Sequence, residues 1–461
     1  MRAPHTRIDA AMTLRFGTDG VRGVANQELT PELVTALGRA AARVLGSERP
    51  FLVARDTRRS GPMLEAALVA GLCAEGVGVL RAGVLPTPGL AYLAQVSEAP
   101  AAMISASHNP FPDNGVKLFA PGGRKIPDDW ERRVEEQLRT LAVEMPADAP
   151  VGAAVGFDRR VGDGLQRYTS HLVRAIEGRR LEGVHVVLDC GNGAAFEAAP
   201  LAFRELGARV DVRNARPDGT NINAGCGSTD PAGLQRAVVE TRAHAGLAFD
   251  GDADRTIGVD ERGDLVDGDQ MLAALALDFR ERGRLNHNAV VATVMSNLGL
   301  RRTLERHSIS LVETPVGDRH VLAALEARGL SLGGEQSGHV ICADLATTGD
   351  GALVGILLLD LVARSGKPLS EIAGVVTRLP QVLRSVRVAD RAGLSGADGF
   401  ESELRAAETE LGTEGRVLVR PSGTEPVVRV MVEAPTQEQA AAVADRLAAA
   451  AERACGTRNL E

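Results

Sequence analysis

Residues Ala101–Pro110 read AAMISASHNP, four apolar residues that run directly into a polar loop carrying Ser107 and His108. The apolar run predicts a buried strand at Ala101–Ile104. Strands that alternate with helices indicate an α/β sheet, whose ligand site lies off the carboxyl ends of its strands. Apolar spacing upstream predicts two further strands of this unit, at Phe51–Ala54 and Val77–Leu80. Between them it predicts a helix from Ser60 to about Glu75.

The same strand-helix-strand-helix-strand order recurs twice further along the chain, as a repeat of pattern and not of residue identity. In each case a polar, glycine-bearing loop follows the last predicted strand, so three equivalent loops are expected to face one central cleft. The second unit has predicted strands at Val184–Leu188, Arg209–Val212 and Gly246–Phe249, with helices at Ala194–Leu206 and Pro231–Arg242. The third has strands at Ala289–Val294, Ser310–Val312 and Leu330–Leu332, with helices at Leu298–His307 and Asp318–Ala327.

The tail has a different character. Two predicted strands flank the turn Pro421–Thr424, and Thr436-Gln-Glu-Gln439 is a capping box that predicts a final helix to about Ala454. We therefore predict three similar mixed α/β domains around a central cleft and a smaller C-terminal α+β domain. The expected boundaries are 1–155, 156–260, 261–376 and 377–461.

The composition is ordinary for a globular protein, with 44% apolar and 24% charged residues among 461. The formal charge of −8 predicts neither a nucleic-acid partner nor an anionic membrane surface. The five scattered cysteines form no CxxC pair, which argues against a disulfide framework or a zinc site. The first residues lack the apolar segment of a secretory signal, and no apolar run could span a bilayer. We expect a cytoplasmic protein without a membrane partner.

Three aspartates alternate in Asp250-Gly-Asp252-Ala-Asp254-Arg255, directly after a predicted strand. Carboxylates this close repel one another unless a cation is present, and they suit a hard divalent metal ion. An EF-hand loop is the first alternative, but Arg255 occupies the sixth position, where that loop needs glycine, and the flanks are β-like. A solvated acidic turn is the second alternative, and the run alone leaves it open.

Several other loops carry residues suited to phosphate or sugar. Ser107 could be a nucleophile or part of a plain turn, and Lys117 in Asp113–Lys117 could neutralise a phosphate or be a surface lysine. A glycine turn is as good an interpretation of Gly334–His339 as a ligand loop. A hairpin turn is the alternative for Arg420–Pro426, whose residues otherwise suit an anion site. Arg22 lies on a glycine-flanked loop that also suits an anion.

Six of these segments together resemble the α-D-phosphohexomutase superfamily, in that family's order and over nearly the whole chain. Gln336 favours the branch that acts on glucosamine phosphates, because the mannose and glucose branch usually has methionine there. His320 is a departure, since tyrosine is usual at that position. The six segments are Phe16–Gly23 (FGTDGVRG), Ile104–Pro110 (ISASHNP), Asp113–Lys117 (DNGVK), Asp250–Arg255 (DGDADR), Gly334–His339 (GEQSGH) and Arg420–Pro426 (RPSGTEP).

The resemblance implies a role for each matched residue. Ser107 would be the phosphoserine and would share one Mg²⁺ with Asp250, Asp252 and Asp254. Lys117 and His339 would handle protons, with His108 and Arg22 also placed in the catalytic set, while Ser105 is expected to be structural. The implied substrate-binding residues are Glu335, Ser337, Arg319, Arg420, Ser422, Gly423, Thr424 and Arg429.

The implied reaction interconverts glucosamine 6-phosphate and glucosamine 1-phosphate, and it would feed the synthesis of UDP-N-acetylglucosamine and cell-wall precursors. Phospho-Ser107 would give its phosphoryl group to the sugar, and glucosamine 1,6-bisphosphate would be both intermediate and activator. The partner is therefore expected to be a small phosphosugar, and a homodimer is one expectation for the assembly. A mannose or glucose phosphate mutase, a phosphosugar phosphatase and a non-catalytic sensor remain alternatives.

Overall fold

The computed structural model describes residues 16–17, 20–46, 48–141, 149–388, 397–421 and 427–455. Its first sheet has the strand order β1-β5-β4-β2-β3-β7, and β6 pairs with β5. These strands are β1 Val21–Val24, β2 Phe51–Arg55, β3 Val79–Val84, β4 Ala101–Ile104, β5 Asp113–Ala120, β6 Arg124–Lys125 and β7 Asp158–Arg160. The accompanying helices are α1 Pro31–Leu45, α2 Gly61–Ala74, α3 Thr87–Ser97 and α4 Asp128–Leu141.

Helix α1 was not predicted from the sequence, but its first residues are typical of a helix start. The Thr30 hydroxyl accepts a hydrogen bond from the Leu33 N–H at 3.3 Å, and Pro31 occupies the first helical position, which needs no N–H partner. The helix packs on α2 through Gly38 and Gly71. A Cβ at Gly71 would overlap the Thr35 carbonyl, so the glycine permits this close helix-helix approach.

The second sheet has the order β12-β11-β10-β8-β9. Its strands are β8 His185–Asp189, β9 Arg209–Arg213, β10 Ala245–Phe249, β11 Thr256–Asp260 and β12 Leu265–Val266. Its helices are α5 Gly164–Arg174, α6 Ala195–Glu205 and α7 Ala232–Thr241. Strands β8, β9 and β10 are parallel, as the alternating pattern predicts.

The third sheet has the order β14-β13-β15-β16. Helix α8 begins with a full capping box, in which the Asp267 side chain accepts from the Gln270 N–H and the Gln270 side chain accepts from the Asp267 N–H. The strands are β13 Ala289–Thr293, β14 Ser310–Thr314, β15 Leu332–Gly334 and β16 Val340–Cys342. The helices of this region are α8 Gly268–Glu281, α9 Leu298–Arg306, α10 Asp318–Arg328, α11 Gly351–Ser365 and α12 Leu369–Ala373.

All three sheets are mixed, whereas the alternating pattern by itself suggests parallel strands. A short polar loop follows each of the strands β4, β10 and β15. The next strand then pairs antiparallel with the one before the loop: β5 with β4, β11 with β10 and β16 with β15. A parallel neighbour would need a crossover of a dozen or more residues, and these loops are too short for one. The predicted class of three similar mixed α/β domains with a smaller α+β tail is confirmed.

The tail forms an antiparallel sheet with the order β17-β19-β18, as predicted. Its strands are β17 Gln381–Arg387, β18 Arg416–Pro421 and β19 Val427–Glu433, and its helices are α13 Asp398–Leu411 and α14 Gln437–Cys455. The Thr436 hydroxyl accepts from the Gln439 N–H at 3.2 Å, which confirms one half of the predicted capping box. Alternating valines of β19 pack against α14.

The chain divides into two compact units, Met1–Val294 with Ile309–Val375, and Met295–Ser308 with Val376–Glu461. Helix α9, predicted inside the third repeat, therefore groups with the tail. Among the contacts that join them, the buried Glu433 accepts from the Leu298 N–H at 3.0 Å and pairs with Arg416 at 2.7 Å. The four predicted domain boundaries stay a prediction. No helix of the described ranges is long and apolar enough to cross a membrane.

Candidate active site

The three aspartates of the predicted metal loop lie together at the carboxyl end of β10. Asp250, Asp252 and Asp254 are buried, and each offers a carboxylate oxygen within 4.8 Å of the others. Ala253 takes the left-handed conformation, with φ of 57°, and helps turn the loop inward before β11 begins. The alternative of a solvated acidic turn is wrong for this loop, because all three side chains are shielded from water.

Ser107 lies on the loop after β4 and meets the aspartates directly. Its hydroxyl donates to Asp250 Oδ2 at 2.5 Å and lies 3.3 Å from His108 Nδ1. Ser107 is fully buried and has a left-handed backbone with φ of 53°, which is uncommon for a residue with a Cβ. A Cβ at Gly251 would overlap the Ser107 carbonyl, so that glycine lets the metal loop approach the serine loop.

Lys117 on β5 supplies a buried positive charge to this cluster. Its Nζ donates to Asp252 Oδ2 at 2.8 Å and lies 3.4 Å from Asp254 Oδ2. Burial disfavours the ammonium ion, but the two carboxylates outweigh burial and raise the pKa of Lys117 above its usual value. Lys117 is therefore a cation in this arrangement and is poorly suited to accept a proton.

The carboxylates themselves respond unequally to their shared burial. Burial, followed by the charges of Asp254 and Asp252, raises the pKa of Asp250 well above its usual value. Burial also opposes ionisation of Asp254, but the charge of Lys117 and a contact with His339 hold its pKa well below the usual value. The Oδ1 atoms of Asp252 and Asp254 are buried and accept no hydrogen bond within the described part of the chain. These two carboxylate oxygens, next to Asp250 with its raised pKa, are suited to bind a divalent cation.

Two histidines flank the cluster. Burial, then the charges of Arg255 and Arg22, lowers the pKa of His108 to about 4, so its ring is neutral at pH 7. His339 is buried and its Nε2 accepts from the Gly349 N–H at 3.1 Å, which places the ring proton on Nδ1. That Nδ1 faces Asp254 Oδ2 at 3.7 Å.

The predicted sugar loop follows β15. Glu335 Oε1 accepts from the Gly317 N–H at 3.0 Å, and the Ser337 hydroxyl donates to Glu335 Oε2 at 3.3 Å. The next residue, Gly338, has φ of 88°, and a Cβ there would overlap the Thr256 carbonyl. Because Thr256 begins β11, directly after the metal loop, the glycine brings the sugar loop against the metal loop.

Arg319, predicted to bind substrate, is paired with the first sheet's α4 instead. Its guanidinium pairs with Asp128 and, at 2.6 Å, with Glu131. It also lines a cavity of about 500 Å³ together with Lys125 and Asp318, which form an ion pair. A substrate phosphate would have to draw Arg319 away from the two carboxylates of α4, and its binding role stays a prediction.

Arg420 and Arg429 belong to the second compact unit. They are directly opposed on the antiparallel strands β18 and β19, so their side chains share one face of the sheet. Burial, and then the charge of Arg429, lowers the pKa of Arg420. Opposed cations of this kind suit an anion. Ser422, Gly423 and Thr424, predicted for the same phosphate site, lie outside the described residues.

Arg22, predicted to be catalytic, joins the cluster from β1. Its side chain is largely buried, which lowers its pKa despite the opposing charges of Asp252 and Asp254. It reaches the site because β1 pairs with β5, where Arg22 is opposite Gly115. A Cβ at Gly115 would lie 2.6 Å from the Ser105 carbonyl and 3.0 Å from the Arg22 side chain, so glycine is required there.

Sequence reasoning missed several residues that hold the site together. The Thr87 hydroxyl at the start of α3 donates to Asp252 Oδ2 at 2.6 Å. Asp56 accepts from the Ser105 hydroxyl at 2.7 Å, and Arg58 and Asn223 both contact the serine loop. The position of Asp56 and Arg58 in the sequence could have indicated their role. Both follow the buried strand β2, which pairs with β4, the strand before the serine loop.

Comparison with known proteins then shows to which class of protein the chain belongs. Domain models of phosphoglucomutase/phosphomannomutase match residues 13–144 (α/β/α domain I), 166–263 (α/β/α domain II), 267–379 (α/β/α domain III) and 372–450 (C-terminal domain). The chain therefore belongs to the phosphoglucomutase/phosphomannomutase family.

Particular relatives narrow the comparison. The phosphoglucosamine mutase of Salinispora arenicola is 54% identical over 94% of this chain and 97% of that protein. A phosphoglucomutase/phosphomannomutase family protein from Burkholderia thailandensis has a TM-score of 0.80 and 25% identity, over 98% of this chain and 99% of that one. Aspergillus fumigatus N-acetylphosphoglucosamine mutase, solved with GlcNAc-6P and magnesium, has the same fold, with a TM-score of 0.68 and 20% identity over 98% and 100% of the two chains.

Proposed function

We propose that this chain interconverts glucosamine 6-phosphate and glucosamine 1-phosphate, with Ser107 as the phosphoryl carrier. The observation that carries the proposal is the buried hydroxyl of Ser107, 2.5 Å from Asp250 in the aspartate cluster. The similarity to phosphoglucosamine mutases supports the choice of sugar. Glucosamine 1,6-bisphosphate would be the intermediate, formed when phospho-Ser107 gives its phosphoryl group to the free hydroxyl of the bound sugar phosphate.

The residues around Ser107 suit phosphoryl transfer, which depends on alignment and on neutralisation of charge. A Mg²⁺ ion, held by Asp250, Asp252 and Asp254 with Ser107, would supply Lewis-acid stabilisation of the transferring group. Lys117 and Arg22 add fixed positive charge on the side of β1 and β5. Because Ser107, Lys117 and the three aspartates are buried, their charges would act in a low dielectric, and hydrolysis of phospho-Ser107 would be disfavoured.

We also propose which groups handle the protons. Lys117 is charged and cannot readily accept a proton, and its raised pKa also makes it a weak proton donor, so we propose that it mainly neutralises charge. His108 is neutral at pH 7 and lies 3.3 Å from the Ser107 hydroxyl, so it can accept a proton there or donate after a turnover. We propose that His339, protonated on Nδ1 beside Asp254, is the second proton-handling group.

The sugar and the distal phosphate would be held by separate groups. Glu335 and Ser337 offer a carboxylate and a hydroxyl to sugar hydroxyls or to the amine. Arg420 and Arg429, with Ser422, Gly423 and Thr424, would form the phosphate site. We further propose a cytoplasmic, homodimeric enzyme with no nucleic-acid or membrane partner, and four domains with the boundaries predicted above.

Intact-mass measurement tests the carrier directly. The purified protein should contain a fraction with one added phosphate, localised by fragmentation to the peptide that contains Ser107. The Ser107→Ala variant should lack the phosphate and should have no measurable mutase activity while keeping the melting temperature of the parent. Undiminished mutase activity in Ser107→Ala would refute the mechanism.

The choice of sugar is tested by kcat/KM on glucosamine, mannose and glucose phosphates. The family models carry the name phosphoglucomutase/phosphomannomutase, so a mutase of mannose or glucose phosphates is the second candidate. We expect glucosamine 6-phosphate to be preferred. A higher kcat/KM for mannose or glucose phosphate would establish the second candidate, and stoichiometric release of inorganic phosphate would instead indicate a phosphatase.

A further inference from the structure

Arg58 has the largest fully buried side chain among the described residues. It lies three positions beyond the end of β2, and its relative exposure is 0%. An arginine is almost never buried this completely unless its charge and its donors have partners. The chemistry proposed above uses no atom of Arg58, so its partners must explain why it is there.

The guanidinium of Arg58 is directed at the serine loop, Ser107 to Asp113. Its Nη2 donates to the carbonyl oxygens of Ser107 and Asn109, both at 2.8 Å. Its Nη1 donates to those of Pro110 at 2.5 Å and Asp113 at 3.1 Å. The remaining donor, Nε, bonds Asp56 Oδ2 at 2.9 Å. All five N–H groups of the guanidinium are thus used, four of them on carbonyls of this one loop.

The N–H side of Ser107 is tied to the same group. Asp56 Oδ2, which accepts from Arg58, also accepts from the Ser105 hydroxyl at 2.7 Å. Ser105 Oγ in turn accepts from the Ser107 N–H at 2.9 Å. The peptide groups on both sides of Ser107 are therefore held, which is what a left-handed serine backbone needs to persist.

A residue of the second sheet's region reinforces this arrangement. The Asn223 amide donates to the carbonyl oxygens of Ser107 at 2.9 Å and Asn109 at 3.2 Å, the same two that Nη2 of Arg58 reaches. Each carbonyl oxygen has two lone pairs and can accept both bonds. The serine loop is thus held by Arg58, which follows β2, and by Asn223 of the second sheet's region.

We infer that Arg58 is a positioning residue for phosphoryl transfer: it holds the serine loop by its carbonyls so that the Ser107 hydroxyl faces Asp250. Asn223 bonds two of the same carbonyls and Ser105 holds the Ser107 N–H, and the three residues together form what we call the clamp. Arg58 contacts neither sugar nor phosphate, and its effect reaches the reaction only through the backbone of Ser107. The inference rests on the proposed function of Ser107 as the phosphoryl carrier.

The test compares Arg58→Lys with the parent and with the matched control Arg59→Lys. Lysine keeps the charge beside Asp56 but has three donors on one atom and cannot span four carbonyls. Arg59 is the adjacent arginine, and its side chain is exposed. The measurements are kcat and KM for glucosamine 6-phosphate, hydrogen exchange of the peptide covering Ser105 to Asp113, and the melting temperature.

We expect Arg58→Lys to lower kcat about 100-fold, the loss typical of a catalytic group displaced by about 1 Å. KM should change less than about threefold, since substrate contacts are intact, and exchange in the serine loop should become faster. A role in stability alone would lower the melting temperature and leave kcat of the folded protein unchanged, and that result would overturn the inference. Arg59→Lys should match the parent in all three measurements.

Two smaller changes keep the inference testable if Arg58→Lys does not fold. Ser105→Ala and Asn223→Ala each remove part of the clamp and should lower kcat about tenfold with little change in KM. Parent-like kcat and parent-like exchange in both variants would overturn the inference. If the parent protein itself carries no phosphate and shows no mutase activity, the proposed function fails instead, and loop exchange alone then decides whether the clamp exists.

Discussion

Asp350, at the start of α11, should make the protein less stable as the pH rises. Its side chain accepts from the Leu353 N–H at 2.9 Å and from the Tyr168 hydroxyl at 2.9 and 3.0 Å. Burial raises its pKa from 3.8 to about 6, although these two donors oppose the shift. In the unfolded chain the carboxyl ionises near its usual value, so between the two pKa values the folded protein binds more protons than the unfolded one.

The sign and size of the effect follow from that difference. Below pH 3.8 both states are protonated, and Asp350 has no pH-dependent effect. The free energy of unfolding then falls as the pH rises toward 6. Well above pH 6 it is lower by about 3 kcal/mol, at about 1.36 kcal/mol for each unit of pKa difference between the two states. Asp350→Asn keeps an acceptor for Leu353 and removes the charge. Its advantage over the parent should grow by about 1.4 kcal/mol between pH 5 and pH 8.

Urea unfolding at the two pH values tests this, because Trp130, the single tryptophan, reports on α4 in the same compact unit as Asp350. Asp267→Asn is the matched control, since it replaces another helix-capping carboxylate by an amide. A stability difference between Asp350→Asn and the parent that is the same at pH 5 and pH 8 would refute the reasoning.

Three further outcomes are expected. Gly251→Ala should lower both mutase activity and stability, the latter by about 1–3 kcal/mol, because its Cβ would overlap the Ser107 carbonyl; Gly233→Ala, with open space around it in α7, should be neutral or slightly stabilising in the same melting assay. Glu433→Gln should destabilise the second compact unit by about 3–5 kcal/mol in urea, because Arg416 loses its buried partner; a melting curve equal to the parent's would contradict this. Chelation of divalent cations should abolish turnover, and added Mg²⁺ should restore it; full activity in chelator would exclude the metal.

The sequence allowed the fold class and much of the aspartate-serine cluster to be predicted, because both follow from local patterns. Buried strands are short apolar runs, and the polar residues that follow them meet at one sheet edge. Ser107 and Asp250, far apart in sequence, were expected together on that argument, and they form a hydrogen bond at 2.5 Å.

Other features depend on contacts that no local pattern contains. Arg58 resembles any polar residue after a strand until its five donors are seen to meet the serine loop. The charge state of Lys117 depends on a balance between burial and two carboxylates, and only coordinates show which dominates. The pairing of Arg319 with the acidic face of α4 was not expected from its motif. The grouping of α9 with the tail depends on long-range contacts, such as those of Asn297 with Leu379 and of Glu433 with Leu298.

The contact between Gly338 and Thr256 also constrains how this protein can evolve. A side chain at position 338 would displace the first residue of β11 and, with it, the loop of aspartates, so we expect almost any substitution there to disturb the aspartate loop and the Glu335 loop together. Selection for a new sugar therefore cannot work through this glycine. Gln336, two positions before it, is only half-buried, and we expect substitutions there to be better tolerated than at Gly338. If Gln336 contributes to the choice of sugar, single mutations there would change substrate preference and leave the aspartate loop in place.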